Sequence, residues 1–311
     1  MFRKTQIVYG VCIVVILATV LSSLSLCKPS GSSLLVEAAK KNDTETVSKL
    51  LNAGINVNAK EEETGRTALM YACGRGHIRM ARLLVERGAN VDEKDNVSGF
   101  TALCYAAMMG REDITKLLLD NGANPNAREA TYGGSVLNMA IAQGHTRVVK
   151  LLLYSGADPC ASNFTKKDGG IPLTMAAEYG HVDIVRALLD KGATVNMKAQ
   201  HGQTALSYAT IKGHLEVFQL LLERGADVNV RDNKEGLTPL IIASGKGDVL
   251  MAKLLLQKGA ELNVSDNEGV TALGYAKRTG KIEVARLLRR AGAKDYGLHR
   301  QDPGPSGRKK N

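Results

Sequence analysis

Apolar and polar residues follow one repeated script along the chain, clearest over residues 201–232, HGQTALSYATIKGHLEVFQLLLERGADVNVRD. Gly202 permits the positive φ of a tight turn, and Thr204 is placed to cap a helix by accepting backbone N–H groups. A first helix is expected over Ala205–Lys212, closed by Gly213, whose missing Cβ allows the left-handed cap conformation. A second begins near His214, with Glu216 in the first turn, where the positive end of the helix dipole favours an anion. Asp113, Asp183 and Glu283 fill the same slot. Val217, Leu220, Leu221 and Leu222 form its apolar face, Gly225 ends it, and Ala226–Val230 lead into the next turn.

The script recurs. Gly-Ala pairs begin at Gly88, Gly122, Gly156, Gly192, Gly225, Gly259 and Gly292, with Gly54-Ile55 as a degenerate first copy, and successive spacings are 34, 34, 34, 36, 33, 34 and 33. A second ladder runs from Gly76 to Gly280, with Asn42 in its first slot, and a third from Gly65 to Gly269. Together they account for 22 of the 32 glycines, so one repeated unit explains most of the glycine content. Helices this short fall below the roughly 12–15 residues that an isolated helix needs, so each must stack on its neighbours.

The pattern resembles the ankyrin repeat, whose signature runs T-P-L-H-x-A, then G-H, then L-L-L-x-x-G-A-D-V-N. Thr238-Pro239-Leu240, Gly213-His214 and the run from Leu220 to Asn229 carry the match. The resemblance covers residues 33–295 as an N-terminal capping partial repeat plus seven repeats. It implies an all-α solenoid of paired antiparallel helices with β-hairpin turns. Two departures matter. Ile171 replaces the capping Thr in one copy, and the family's first-helix His slot holds Met70, Cys104, Asn138, Thr174, Ser207, Ile241 and Gly274, so that hydrogen-bond link between repeats is expected to be missing. In the last copy Arg289 replaces the third Leu of the second helix, a change suited to the uncovered end of a stack.

The amino terminus has a different composition. Residues 7–26, IVYGVCIVVILATVLSSLSL, carry no charge and are long enough as a helix to cross a hydrocarbon core of roughly 30 Å. Residues 1–27 therefore read as a signal sequence or membrane anchor in a hydrophobic N-terminal helix, which would place the rest outside the cytosol; Arg3 and Lys4 keep the start cytoplasmic. Cys27 closes the run in a way that resembles a bacterial lipobox, implying lipid attachment at its sulfur, although Leu26 departs from the small residue that pattern favours. Residues 28–32 read as a linker and 296–311 as a disordered basic tail.

Composition bears on chemistry. The chain has 41 Lys and Arg against 31 Asp and Glu, a formal charge of +10, of which the two ends carry half. No basic stripe is evident between them, so nucleic acid is disfavoured as a partner. His77, His145, His181 and His214 each follow the second glycine of a unit, and equal placement implies helix starting and hydrogen bonding rather than catalysis. No motif of a catalytic or metal site is present, so no enzyme, cofactor, metal or small-molecule substrate is expected. Cys73 and Cys104, in first helices, read as buried hydrophobes.

What remains is surface. One step beyond the His slot, Tyr71, Tyr105, Met139, Met175, Tyr208, Ile242 and Tyr275 form a column that either packs between repeats or binds a protein on the concave side. At the hairpin tips, Tyr132, Phe164, Lys166, Lys167, His201 and Lys234 are the candidate contacts. The function expected is a noncatalytic protein–protein interaction scaffold, exported and membrane-anchored or periplasmic. The alternatives are an accessory subunit of a membrane-associated complex and a cytosolic ankyrin regulator.

Overall fold

The computed structural model describes residues 30–131, 133–162 and 170–295. The leader, most of the linker, Cys27 and the tail lie outside the described residues. Among the described residues, sixteen helices follow one another in eight antiparallel pairs: α1 (Gly31–Lys40) with α2 (Thr44–Asn52), α3 (Ala68–Arg75) with α4 (Ile78–Glu86), α5 (Ala102–Met108) with α6 (Glu112–Asp120), and α7 (Val136–Ala142) with α8 (Thr146–Tyr154). The series continues as α9 (Pro172–Tyr179) with α10 (Val182–Asp190), α11 (Ala205–Lys212) with α12 (Leu215–Glu223), α13 (Pro239–Lys246) with α14 (Val249–Gln257), and α15 (Ala272–Arg278) with α16 (Ile282–Arg290). Each first helix packs on its own second helix and on the first helix of the next pair, which makes a solenoid of one partial and seven full repeats.

Local chemistry starts and stops each helix. Thr67, Thr101, Ser135, Thr204, Thr238 and Thr271 sit at first-helix N-caps and accept a backbone N–H three residues on. Where Ile171 takes that slot, Pro172 occupies the first helical position, which has no N–H to satisfy, and Thr174 Oγ1 donates back to the Ile171 carbonyl at 2.9 Å. Gly213 closes α11 at φ 82, as its sequence position predicts.

The core is a row rather than a ball. Leu84, Leu118, Leu152, Leu188, Leu221 and Leu255 occupy equivalent slots in successive second helices and are fully buried between repeats. Arg289 in the last described helix is exposed where its counterpart Leu222 is buried. Cys73 and Cys104 are buried free thiols, and burial raises both above the ordinary thiol range.

The turns between pairs are closed hairpin loops rather than strands. Among the described residues the bridging is limited to single antiparallel pairs at Lys60 and Thr67, Arg128 and Ser135, and Ser265 and Thr271. Neighbouring tips are joined by backbone hydrogen bonds, Asn96 N–H to the Thr64 carbonyl at 2.9 Å and Asn233 N–H to the His201 carbonyl at 2.8 Å.

The expected missing link between repeats is supplied elsewhere. Side-chain oxygens of Asn58, Asp92, Asn126, Asn196, Asn229 and Asn263 each accept a backbone N–H from the next repeat at 2.7–3.0 Å. In the His slot itself, Asn138 Nδ2 donates to the Gly170 carbonyl of the following repeat at 2.7 Å. The four histidines stand at second-helix N-cap positions, as expected, but act through the preceding repeat where their rings bond at all. None of His77, His145, His181 and His214 caps its helix through the side chain. Instead His145 Nε2 lies 3.1 Å from the Met108 carbonyl and His214 Nε2 lies 2.9 Å from the Glu178 carbonyl, both in the preceding repeat. The glycine beneath is needed twice over: Gly180 has φ 74, and a Cβ there would lie 2.7 Å from His214 Nδ1.

Candidate interaction surface

The column Tyr71, Tyr105, Met139, Met175, Tyr208, Ile242 and Tyr275 projects from successive first helices, and all but Tyr105 are half-buried. Three of its tyrosines are anchored within their own repeat by a carboxylate in the turn before the helix. The Tyr71 hydroxyl donates to Glu61 Oε2 at 2.6 Å, Tyr105 to Asp95 Oδ2 at 2.5 Å, and Tyr275 to Asp266 Oδ2 at 2.7 Å. The same carboxylates hold the turns. Asp95 Oδ1 accepts the N–H groups of Val97, Ser98 and Gly99, and Asp232 does the same for Lys234, Glu235 and Gly236. The acid thus fixes turn geometry and, where a tyrosine follows, the ring above it.

At the amino-terminal end this becomes a charged and aromatic network. Lys40 Nζ reaches Glu37 at 2.7 Å and Glu61 at 2.6 Å and lies 4.6 Å from the Tyr71 ring centroid. Arg66 lies 5.8 Å from the Tyr71 ring and 5.1 Å from that of Tyr105. The Lys40 ammonium, then the Thr64 and Tyr71 hydroxyls, hold the Glu61 carboxyl down at about 2. Burial works against the charge on Asp95, but the Tyr105 hydroxyl and the turn N–H groups still lower it below the usual carboxylate range.

Beside the column lies a hollow of about 280 Å³, whose lining includes Phe100, Met108, Glu129, Met139 and Met175. Sequence reasoning finds Met139 and Met175 but not the others, because their chemistry stands out only when each residue is compared with its counterpart one repeat earlier. Of the hairpin-tip candidates, His201 and Lys234 are exposed. Tyr132, Phe164, Lys166 and Lys167 lie outside the described residues.

The opposite, second-helix face corrects one expectation. Arg82, Lys116, Lys150, Arg186, Lys253 and Arg286 occupy equivalent slots and are all exposed, so a column of bases runs along the stack, interrupted by Gln219 in α12. Glu86, Asp113, Asp120, Asp183, Asp190 and Glu283 stand three or four positions away on four of those helices, which keeps much of the face mixed in sign. Charge summed along the chain hides this column, which shows only when residues are compared at the repeat period.

The family profile described as Ankyrin repeats (3 copies) matches residues 35–129, 95–163, 137–232 and 231–297, nearly all of the repetitive region. The chain belongs to the ankyrin-repeat family. Among curated proteins none matches the chain significantly. Ankyrin repeats form protein–protein interaction scaffolds, and such modules are generally noncatalytic. No group of His, Cys, Asp and Glu among the described residues is arranged to hold a metal ion. No helix among them is long and apolar enough to cross a membrane, and residues 7–26 lie outside that set.

Proposed function

We propose that this ankyrin-repeat protein is a noncatalytic scaffold that binds a protein partner on its first-helix side and is displayed outside the cytosol. The observation that carries the binding surface is the half-buried column. Met139, Met175, Tyr208 and Ile242 are held in register by a stacked core, so their apolar area is presented with little conformational entropy left to lose. The exposed tips at His201 and Lys234 extend the same side. Display outside the cytosol is supported by the uncharged run of residues 7–26 and by the lipobox-like ending at Cys27.

Two experiments test the two halves. A partner captured by the wild-type chain from native membranes should be lost with Met175→Glu or with the pair His201→Glu and Lys234→Glu, variants that leave the buried leucine row untouched; retention by both rejects the surface. Replacing Cys27 with Ser should abolish labelling by a fatty-acid analogue and release the chain from membranes. A Cys27→Ser protein that stays membrane-bound at full length rejects lipid attachment and favours residues 7–26 as the anchor.

A further inference from the structure

The Tyr105 ring has four defined neighbours. The Arg66 guanidinium lies 5.1 Å from its centroid, the Phe100 ring lies at 5.5 Å, and Asp95 Oδ2 accepts its hydroxyl at 2.5 Å. Gly74 is the fourth, and a Cβ there would lie 3.7 Å from the ring. One repeat of 34 residues further along, the counterparts of Arg66, Gly74, Asp95 and Phe100 are Phe100, Met108, Glu129 and Gly134, and Met139 stands where Tyr105 does. All five of these residues line the hollow of about 280 Å³. The hollow thus lacks the two rings of the Tyr105 environment, since Met139 has no phenol and Gly134 has no side chain, while Phe100 stands for Arg66 and Met108 for Gly74.

We propose that this hollow receives a tyrosyl side chain of the protein partner, with the phenol donating to Glu129 and the ring held against Phe100 and the thioethers of Met108, Met139 and Met175. The inference rests on the protein-binding reading above and adds the chemistry of one contact. The methionines suit an aromatic guest, since a thioether packs favourably at a ring edge. Glu129 accepts turn N–H groups on both oxygens, from Thr131 on Oε2 at 2.6 Å and from Gly134 on Oε1 at 2.9 Å, where Asp95 takes its three on Oδ1 alone. One carboxylate oxygen can serve two donors in this fold, since Glu61 Oε2 accepts the Thr64 and Tyr71 hydroxyls together. Asp95 itself serves three turn N–H groups and a phenol together, within the roughly four acceptor sites a carboxylate offers. The fold thus shows three times over, at Tyr71, Tyr105 and Tyr275, the pairing that the hollow is shaped to complete.

The test is titration of the full chain with N-acetyl-tyrosinamide and with N-acetyl-phenylalaninamide, followed through the methionine methyl resonances. The tyrosyl probe should move the Met108, Met139 and Met175 signals and bind about tenfold more tightly than the phenylalanyl probe, the size expected for a hydrogen bond to a charged acceptor. Met139→Tyr, which supplies the ring from the chain itself, should stay folded, melt higher and lose the probe. Equal binding of the two probes, shifts confined to other methionines, or undiminished binding by Met139→Tyr overturns the inference. Binding seen only in Tyr132→Ala would mean that the chain's own side chain takes the hollow and would also overturn it. A captured partner whose binding survives removal of its tyrosines sinks the tyrosyl contact alone, whereas failure of the column variants to release any partner sinks the protein-binding reading.

Discussion

The Tyr105 hydroxyl donates to Asp95 Oδ2 at 2.5 Å, which fastens a first helix to the turn that precedes it. The Asp95 side chain is fully buried, and its other oxygen is spent on three turn N–H groups. Removing the phenol leaves a buried carboxylate one donor short, and hydrogen bonds to charged groups contribute about 1.5–3 kcal/mol. Tyr105→Phe should therefore lower stability by about that amount. Tyr71→Phe should cost less, because Glu61 keeps Lys40 and Thr64 as partners. Equal losses in denaturant unfolding would show that burial of the acid is not the deciding difference.

The fold was legible because a solenoid writes its architecture at a fixed period: glycine ladders, capping threonines and leucine triplets each mark one part of the unit, and the helix expected over Ala205–Lys212 has those bounds. The surface was less legible. His214 stands where a helix start is expected, yet its ring turns back to the preceding repeat, a direction that position alone does not encode. The hollow beside Met139 lies where one copy departs from the copy before it, with Met139 for Tyr105, Gly134 for Phe100, Phe100 for Arg66 and Met108 for Gly74, and such departures are not part of the repeated pattern.

Leu221 tests the register of the stack. It is fully buried in α12, in the slot shared by the other inter-repeat leucines. Leu221→Ala removes three carbons from a site whose neighbours are held by repeats on both sides, and such substitutions cost about 2–5 kcal/mol through lost transfer energy and the cavity left behind. The exposed neighbour Gln219 provides the control, since Gln219→Ala should change stability by less than about 0.5 kcal/mol. An unchanged melting curve for Leu221→Ala would contradict the packing described.

Acid should weaken the amino-terminal network. The Lys40 ammonium, followed by the Thr64 and Tyr71 hydroxyls, holds Glu61 at about 2 in the folded chain, whereas an unfolded glutamate titrates near about 4.3. Between those values the unfolded chain binds more protons, so this contribution is complete above about pH 4.3 and disappears as pH falls through about 2. Glu61→Gln removes the titrating group. The stability gap between wild type and Glu61→Gln should be largest near neutral pH and close progressively below about pH 4. A gap that stays constant in thermal melts down to about pH 2 would separate Glu61 from acid sensitivity.

Cys160 interrupts the side-chain ladder that ties successive repeats together. At this slot Asn126 and Asn196, one repeat to either side, each accept a backbone N–H from the following repeat at 2.8 Å. Cys160 offers only its thiol, with Sγ 4.0 Å from the Gly192 carbonyl and 3.8 Å from Thr194 Oγ1, contacts too long and too weakly polar to match a carboxamide. Cys160→Asn places a carboxamide where the ladder calls for one, aimed at the Thr194 N–H. A net hydrogen bond contributes about 1 kcal/mol, so the variant should gain roughly that in denaturant unfolding and melt about 2 °C higher. Cys160→Ser, too short to span the junction, should gain nothing. If the serine variant matches the asparagine variant, the benefit comes from removing the thiol rather than from completing the ladder.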